Sequence, residues 1–219
     1  PWFAVCAGLL LGLAAVKFGN PVILDSLIKP PGTVLEYVFQ SWPLVWAYWL
    51  LGGVTILGLA AGDWRRPRTW WPVGFLAGWW VWQWIAAAGS IDVGLSRAVL
   101  AHFTANVVWF VLGAVALAPQ GRMGVFWMGP WLGVVFVLWT ACEQHFGGLE
   151  ATRRMVFSQP GWEQWAPEQI KRFQSDRVFG TLLYPNTLAG LLLFWMPVLS
   201  VVTWRAPVRL TPASRGFLS

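Results

Sequence analysis

Residues 42–61 read WPLVWAYWLLGGVTILGLAA, an uninterrupted run without a single charged side chain. A helix of about 20 mainly apolar residues is long enough to cross the hydrocarbon core of a bilayer. The rest of the chain has the same character: 57% of its 219 residues are hydrophobic and 11% are charged, whereas soluble domains carry ~25% charged residues. Soluble and disordered proteins are therefore excluded, and the sequence predicts an all-α integral membrane protein.

Six apolar stretches qualify as membrane spans or come close to doing so. They cover residues 2–16, 42–61, 70–88, 98–118, 125–141 and 182–204. Several of these stretches begin at a Trp, and the chain has 19 Trp in all. Trp side chains favour the membrane–water boundary. Gly52, Gly53 and Gly58 predict close packing of the second stretch against another helix. We therefore predict one transmembrane region over residues 1–219, with about six helices and a loop over 142–181 before the last.

The distribution of basic residues predicts the orientation of these spans. Segments 62–70, 119–124 and 205–219 hold seven Lys and Arg in 30 residues with one acidic residue. The alternate segments hold eight Lys and Arg in 74 residues with eight acidic residues. Because dense basic charge in short loops marks the cytoplasmic side, we expect segment 142–181 to lie outside. The net charge of +6 then faces the inner leaflet, and nucleic acid is not an expected partner.

Cysteine and histidine give no sign of a disulfide or of a metal site. The predicted topology places Cys6 and Cys142 at opposite membrane faces, which lie about 30 Å apart. A metal needs more ligands than His102 and His145 provide, since the nearby carboxylates show no ligand spacing. We expect neither a metal nor a cofactor.

Segment 142–181 contains the first group of basic residues that could bind a ligand. Arg153 and Arg154 are adjacent, and residues 166–173, APEQIKRF, carry a helix-start signal. Ile170 and Phe173 then share a face that can lie on the membrane surface, with basic residues available to lipid headgroups. A solvated surface helix is the alternative interpretation.

Residues 177–190, RVFGTLLYPNTLAG, lead directly into the last predicted span. The guanidinium of Arg177 is a permanently charged, forked donor that suits a phosphate group. Gly180 permits a tight turn, and Pro185 with Asn186 interrupts the helical pattern near the outer boundary. The alternative interpretation is an ordinary juxtamembrane Arg followed by a capping turn.

The pattern Arg-x-x-Gly-Thr-x-x-x-Pro-Asn-x-x-Ala-Gly at this position resembles the hallmark segment of the O-antigen ligase and O-antigen polymerase family. Residues 17–21, KFGNP, are similar to the N-terminal region of the same family, although more weakly. Members are multi-pass glycosyltransferases of the bacterial inner membrane. They transfer glycans from polyprenyl diphosphate, such as undecaprenyl diphosphate, in lipopolysaccharide and polysaccharide biosynthesis.

The resemblance implies a role for several residues of this chain. Arg177 is expected to contact the diphosphate of the lipid-linked donor and to act in catalysis. Arg153 and Arg154 are possible helpers in substrate binding. Gly180 and Thr181 belong to the motif, and Pro185 and Asn186 are expected to be structural.

The family also has a large outer loop with an essential His, which matches nothing in residues 1–219. We therefore expect the chain to be the N-terminal part of a longer protein and to transfer no glycan alone.

Polar residues inside the predicted spans have simpler interpretations. His102 and Asn106 lie four residues apart on one helical face, which favours mutual hydrogen bonding of buried polar groups over catalysis. Gln83 has the same interpretation. The Trp-rich stretch at residues 79–84 is expected to face lipid, because consecutive residues point around a helix.

Three functions are compatible with these patterns. The first is glycan transfer from a polyprenyl diphosphate to an acceptor, such as lipid A core or a growing polysaccharide, at the outer face of the inner membrane. The second is transport or flipping of a lipid-linked or anionic solute, which the polar residues within spans favour. The third is a non-catalytic membrane scaffold.

Overall fold

A computed structural model describes residues 2–20, 22, 25, 28–62, 70–118, 123–158, 162, 170, 174, 176–182 and 185–205. Within these ranges the chain is helical and contains no β-strand. Its helices are α1 (Trp2–Lys17), α2 (Val34–Phe39), α3 (Leu44–Ala61), α4 (Trp71–Ala88), α5 (Val93–Leu112), α6 (Met123–Glu143), α7 (Leu149–Phe157) and α8 (Pro185–Arg205). A π-helical turn extends α5 over Gly113–Leu117, and another joins α6 to α7 over Gln144–Gly148.

Four helical stretches are long and apolar enough to cross a membrane: Leu44–Ala61, Val93–Leu117, Met123–Ala151 and Pro185–Trp204. Helix α1 is apolar but shorter. Helix α4 has 18 residues but is not among these four, and it carries five Trp together with Gln83. Large apolar side chains such as Ile56 and Leu193 are 68% and 78% exposed on the outside of the bundle, where lipid replaces water. The chain is a helical membrane protein.

Helix α1 packs most closely on α6, and glycines on both helices allow this approach. Gly8 and Gly12 lie one turn apart on α1, and Gly129 and Gly133 lie one turn apart on α6. A methyl group on Gly8 or Gly12 would overlap the backbone of α6, and one on Gly129 or Gly133 would overlap that of α1. Since lipid gives helices no hydrophobic reason to associate, close backbone packing of small residues drives the pairing.

Helix α3 packs on α1 and α5. Of its three glycines named above, only one lies at this contact. A side chain on Gly58 would collide with Leu112 and Phe3, as the prediction of close packing requires. Gly52 and Gly53 have no neighbouring atom within 4 Å of such a side chain. These two glycines lie on the outer face of α3, where no described residue packs against them.

Helix α5 begins at Val93, earlier than the predicted residue 98. The reason is Asp92, whose carboxylate accepts a hydrogen bond of 2.9 Å from the backbone N–H of Leu95. This side-chain cap satisfies one of the N–H groups that a helix leaves unpaired at its start. The hydropathy pattern reports only apolar residues and not this cap, so it places the start of the helix too late.

Segment 142–181 was expected to be a loop, but its first part is helical. The chain continues from α6 through the π-helical turn into α7, and it bends at Phe146 and Gly147. Gly147 has a φ of 121°, which side chains other than glycine rarely adopt. Helix α7 then follows with Leu149 buried and Glu150 in its first turn. The predicted loop therefore overlaps two helices.

Several predictions lie outside the described residues. Most of the basic segments that set the orientation are among them, as are residues 166–169 and 171–173 of the predicted surface helix. Of the motif, residues 183 and 184 are not described.

Candidate functional site

Gln144 holds the backbone of the segment that follows Arg177. Its side-chain Oε1 accepts hydrogen bonds from the N–H groups of Phe179, at 3.1 Å, and Gly180, at 2.8 Å. Its Nε2 donates to the carbonyl of Gly180 at 2.9 Å. Gln144 is buried, so these bonds form away from solvent. One amide side chain thus fixes the turn in which Gly180 adopts a φ of 60°.

The next two motif residues attach the same turn to the end of α1. The hydroxyl of Thr181 donates to the carbonyl of Ala15 at 3.1 Å. The side chain of Leu182 packs against the Cα of Gly19, where a Cβ would leave no room for it. Gly19 belongs to residues 17–21 and Leu182 to the motif, so the two segments that carry the family resemblance are in contact.

Apolar packing holds the motif between α6 and α8. Leu182 and Leu188 form a buried cluster with Val137 of α6. Pro185 is the first residue of α8, a position where its missing N–H has no cost. The predicted span over 182–204 therefore begins three residues later than expected. Asn186 is exposed in the first turn of α8.

Arg177 is exposed on the irregular segment before the turn, and Arg153 binds the residue before it, Asp176. The Arg153 guanidinium contacts the carboxylate of Asp176 at 2.7 Å and that of Glu150 at 3.2 Å. It also donates to the carbonyl of Gln174 at 3.0 Å. The hydrogen bond that Arg153 donates to the carboxylate of Asp176 is the main reason that the pKa of Arg153 lies above its usual range.

The contacts of Arg153 therefore join α7 to the segment that carries Arg177. Arg154, the other predicted helper, is exposed on α7. The structure thus brings Arg153 next to the segment containing Arg177, but it gives Arg153 acidic partners within the chain.

Lys17 anchors the other segment of the resemblance. Its ammonium group is buried and donates to the carbonyls of Val38 and of Gln40, the latter at 3.0 Å. The same group lies 5.6 Å from the ring centre of Trp42, within the range of a cation–π interaction. The backbone N–H of Trp42 in turn donates to the carbonyl of Lys17 at 2.9 Å. The end of α1 is therefore fixed to the chain that leads into α3.

Asn20 lies next to Gly19 and is buried, with 6% of its surface exposed. No donor or acceptor in the described part of the chain reaches its Nδ2 or its Oδ1. Buried polar groups are almost always hydrogen bonded. Asn20 is therefore an exception in this region: a buried polar side chain without a hydrogen-bonding partner among the described residues.

Asn106 and Trp80 have hydrogen-bonding partners within the helical bundle. The amide of Asn106 donates to the backbone carbonyl of His102 at 3.1 Å, so the bond lies within one turn of α5. The indole N–H of Trp80 donates to the hydroxyl of Thr104 at 2.9 Å and joins α4 to α5. Trp79, Trp82 and the rest of the Trp-rich face of α4 are largely exposed on the outside of the bundle.

Sequence reasoning missed Gln144, Lys17 and Asn20. A signal existed for Gln144, because a polar residue at the end of an apolar span needs a hydrogen-bonding partner. The partner itself was not predictable, since it lies 35 and 36 residues further along the chain. For Asn20 the only signal was its position within residues 17–21.

The arrangement has the chemistry of a headgroup site. A forked, permanently charged donor lies on a segment that buried hydrogen bonds hold in place, at the end of a helical bundle. Such a group binds phosphate or diphosphate through charge-assisted hydrogen bonds. No known protein family, curated protein or solved structure matches this chain.

Proposed function

We propose that this chain is part of a glycosyltransferase of the O-antigen ligase and polymerase type, which moves a glycan from polyprenyl diphosphate to an acceptor. The observation that supports this best is the contact between Leu182 and Gly19. These residues belong to the two sequence segments that resemble the family. The two segments are distant in sequence. If each similarity had arisen by chance, there would be no reason to expect the segments to be in contact.

The chemistry of transfer requires a group that stabilises the departing diphosphate. The bond between the anomeric carbon and the diphosphate oxygen breaks, a bond to the acceptor hydroxyl oxygen forms, and the proton of that hydroxyl passes to water. Negative charge grows on the diphosphate as it leaves. The guanidinium of Arg177 is suited to neutralise this charge, and preorganised donors of this kind supply much of the rate enhancement in enzymes.

The same proposal includes the location and orientation of the protein in the membrane. The protein belongs to the bacterial inner membrane, which it crosses about six times, and the segment with Arg177 faces outward. The acceptor there is lipid A core or a growing polysaccharide. Surrounding lipids contact the exposed apolar face, and α1 and α4 are the two additional spans.

Reconstituted full-length protein tests the function. Proteoliposomes receive a polyprenyl-diphosphate glycan and an acceptor, and both lipid and glycan products are measured. We expect glycan bound to the acceptor and free polyprenyl diphosphate in equal amounts. Passage of the intact lipid-linked glycan across the bilayer without any transfer would contradict the proposal and support the transport function instead.

A further inference from the structure

We infer that Asn20 is a recognition residue for the sugar that is attached to the diphosphate of the lipid-linked donor. The inference rests on the proposed function and deepens it, because it assigns a sugar contact that the motif does not contain. Its basis is the buried amide of Asn20, whose two polar atoms have no partner among the described residues.

The absence of a partner is costly in a membrane protein. A polar group that is shielded from water and lacks a hydrogen-bonding partner destabilises the folded protein. A residue without any role would be replaced by an apolar one of the same size, which would fit this position better. A ligand that supplies the missing hydrogen bonds explains why an amide is present.

The position of Asn20 places it beside the proposed donor site. Its neighbour Gly19 is in contact with Leu182 of the motif, and Thr181 is hydrogen bonded to Ala15 at the end of α1. Lys17 fixes the start of the same segment through Val38 and Gln40. Asn20 therefore directly follows a stretch of backbone that these contacts hold, next to the turn that follows Arg177.

The chemistry of the amide distinguishes a sugar from a phosphate. A primary amide has two N–H donors and one oxygen that accepts. A diphosphate at neutral pH only accepts hydrogen bonds, so it would leave Oδ1 of Asn20 unpaired. Sugar hydroxyls both donate and accept, and two neighbouring hydroxyls satisfy both ends of the amide. In this arrangement Arg177 binds the diphosphate and Asn20 binds the sugar.

The amide is shielded in this structure, so the sugar reaches it only when Leu182 moves away from Gly19. The contact between Leu182 and Gly19 is apolar, and Leu182 also packs in the buried cluster with Val137 and Leu188. Binding of the donor would exchange this contact for hydrogen bonds to the sugar.

Binding measurements with two lipid probes test the inference. The full-length protein in nanodiscs is titrated with undecaprenyl diphosphate and with undecaprenyl diphosphate that carries one N-acetylglucosamine. We expect the unchanged protein to bind the sugar-carrying probe about 10-fold more tightly, as one or two additional hydrogen bonds allow. Asn20→Ala should remove this preference and leave the affinity for undecaprenyl diphosphate unchanged, whereas Arg177→Ala should weaken both probes.

Thermal unfolding separates recognition from a structural role. Because its amide has no partner among the described residues, Asn20→Ala should unfold without ligand at the same temperature as the unchanged protein or higher. If the variant unfolds at a lower temperature, Asn20 is a structural residue and the inference is wrong. Asn20→Asp provides a second variant of nearly the same size, and it should also lose the preference, since its carboxylate has no N–H to donate.

The outcomes distinguish the inference from the proposed function. If the unchanged protein binds both probes equally, or if Asn20→Ala keeps the preference for the sugar, the inference about Asn20 is overturned and the function stands. If the unchanged protein binds neither probe, the function and the inference are overturned together.

Discussion

Gln144 and Gly180 are joined by two buried hydrogen bonds, at 2.8 and 2.9 Å, although 36 residues separate them in sequence. A third bond, from the N–H of Phe179, reaches the same side chain at 3.1 Å. The end of α6 therefore determines the backbone conformation of the segment that contains Arg177. Gln144 is therefore a positioning residue. It acts on Arg177 through the turn that its side chain holds.

Replacement of Gln144 by Met tests this relationship. Met has nearly the same length but leaves two N–H groups and one carbonyl without partners, so we expect a loss of about 2–4 kcal/mol in the free energy of unfolding. Thermal unfolding in detergent, followed by Trp fluorescence, measures the change. Gln83→Met in the exposed helix α4 is the matched control and should have little effect. Equal effects of both substitutions would show that the bonds of Gln144 contribute nothing specific.

The same substitution should have opposite effects at a glycine between α1 and α6 and at a glycine on the open face of α3. Gly129→Ala should destabilise the protein, because the new methyl group would overlap the backbone of Gly8. Gly53→Ala should stabilise it by up to about 1 kcal/mol, because space is open there and Ala favours the helix. Thermal unfolding midpoints of the two variants check both signs. A stable Gly129→Ala variant would contradict the close approach of α1 and α6.

Arg153 and Asp176 are a pair whose role a double-mutant cycle can determine. If Arg153 acts by holding Asp176, the residue before Arg177, then Arg153→Ala and Asp176→Ala should lower glycan transfer by similar amounts. The double variant should be no worse than either single one. If Arg153 binds the donor directly, Arg153→Ala alone should lower transfer and Asp176→Ala should not. Initial transfer rates for the four proteins give the answer.

The topology has a direct chemical test. Single cysteines at Ser158 and at Thr69, in a variant without Cys6 and Cys142, are exposed to a membrane-impermeant reagent in intact spheroplasts. We expect labelling at position 158 only, because the basic residues around position 69 favour the cytoplasm. Labelling at position 69 alone would reverse the proposed orientation, and opened membranes serve as the control for reagent access at both positions.

The sequence was sufficient for the broad fold because runs of apolar residues report directly on membrane helices. Ends of helices were less predictable, since they depend on single groups such as the cap by Asp92 and the bend at Gly147. The pairing of α1 with α6 was missed, although both carry glycines at i and i+4. Such spacing occurs on exposed faces as well, and only the three-dimensional arrangement shows which faces meet.

The candidate site was predictable to a smaller degree. Arg177 and Gly180 could be proposed from the motif, but the residues that hold them could not. Gln144 and Ala15 are distant in sequence from the turn that they bind. Hydrogen bonds between distant segments depend on how the helices pack, which the hydropathy pattern does not specify. Asp176, the more distant acidic partner of Arg153, was missed for the same reason.

The most direct test of the central claim is glycan transfer by the full-length Arg177→Ala variant in membranes that contain equal amounts of each protein. Loss of one charge-assisted contact to the leaving group is worth ~2–4 kcal/mol in the transition state. Transfer should therefore fall by ~10²-fold or more, and Arg177→Lys should restore it only partly, because an ammonium cannot form the forked contact. Arg97→Ala, which removes an exposed arginine from α5, should transfer glycan at the normal rate. If Arg177→Ala retained nearly normal transfer, Arg177 would not be the diphosphate contact, and the account of this site would be wrong.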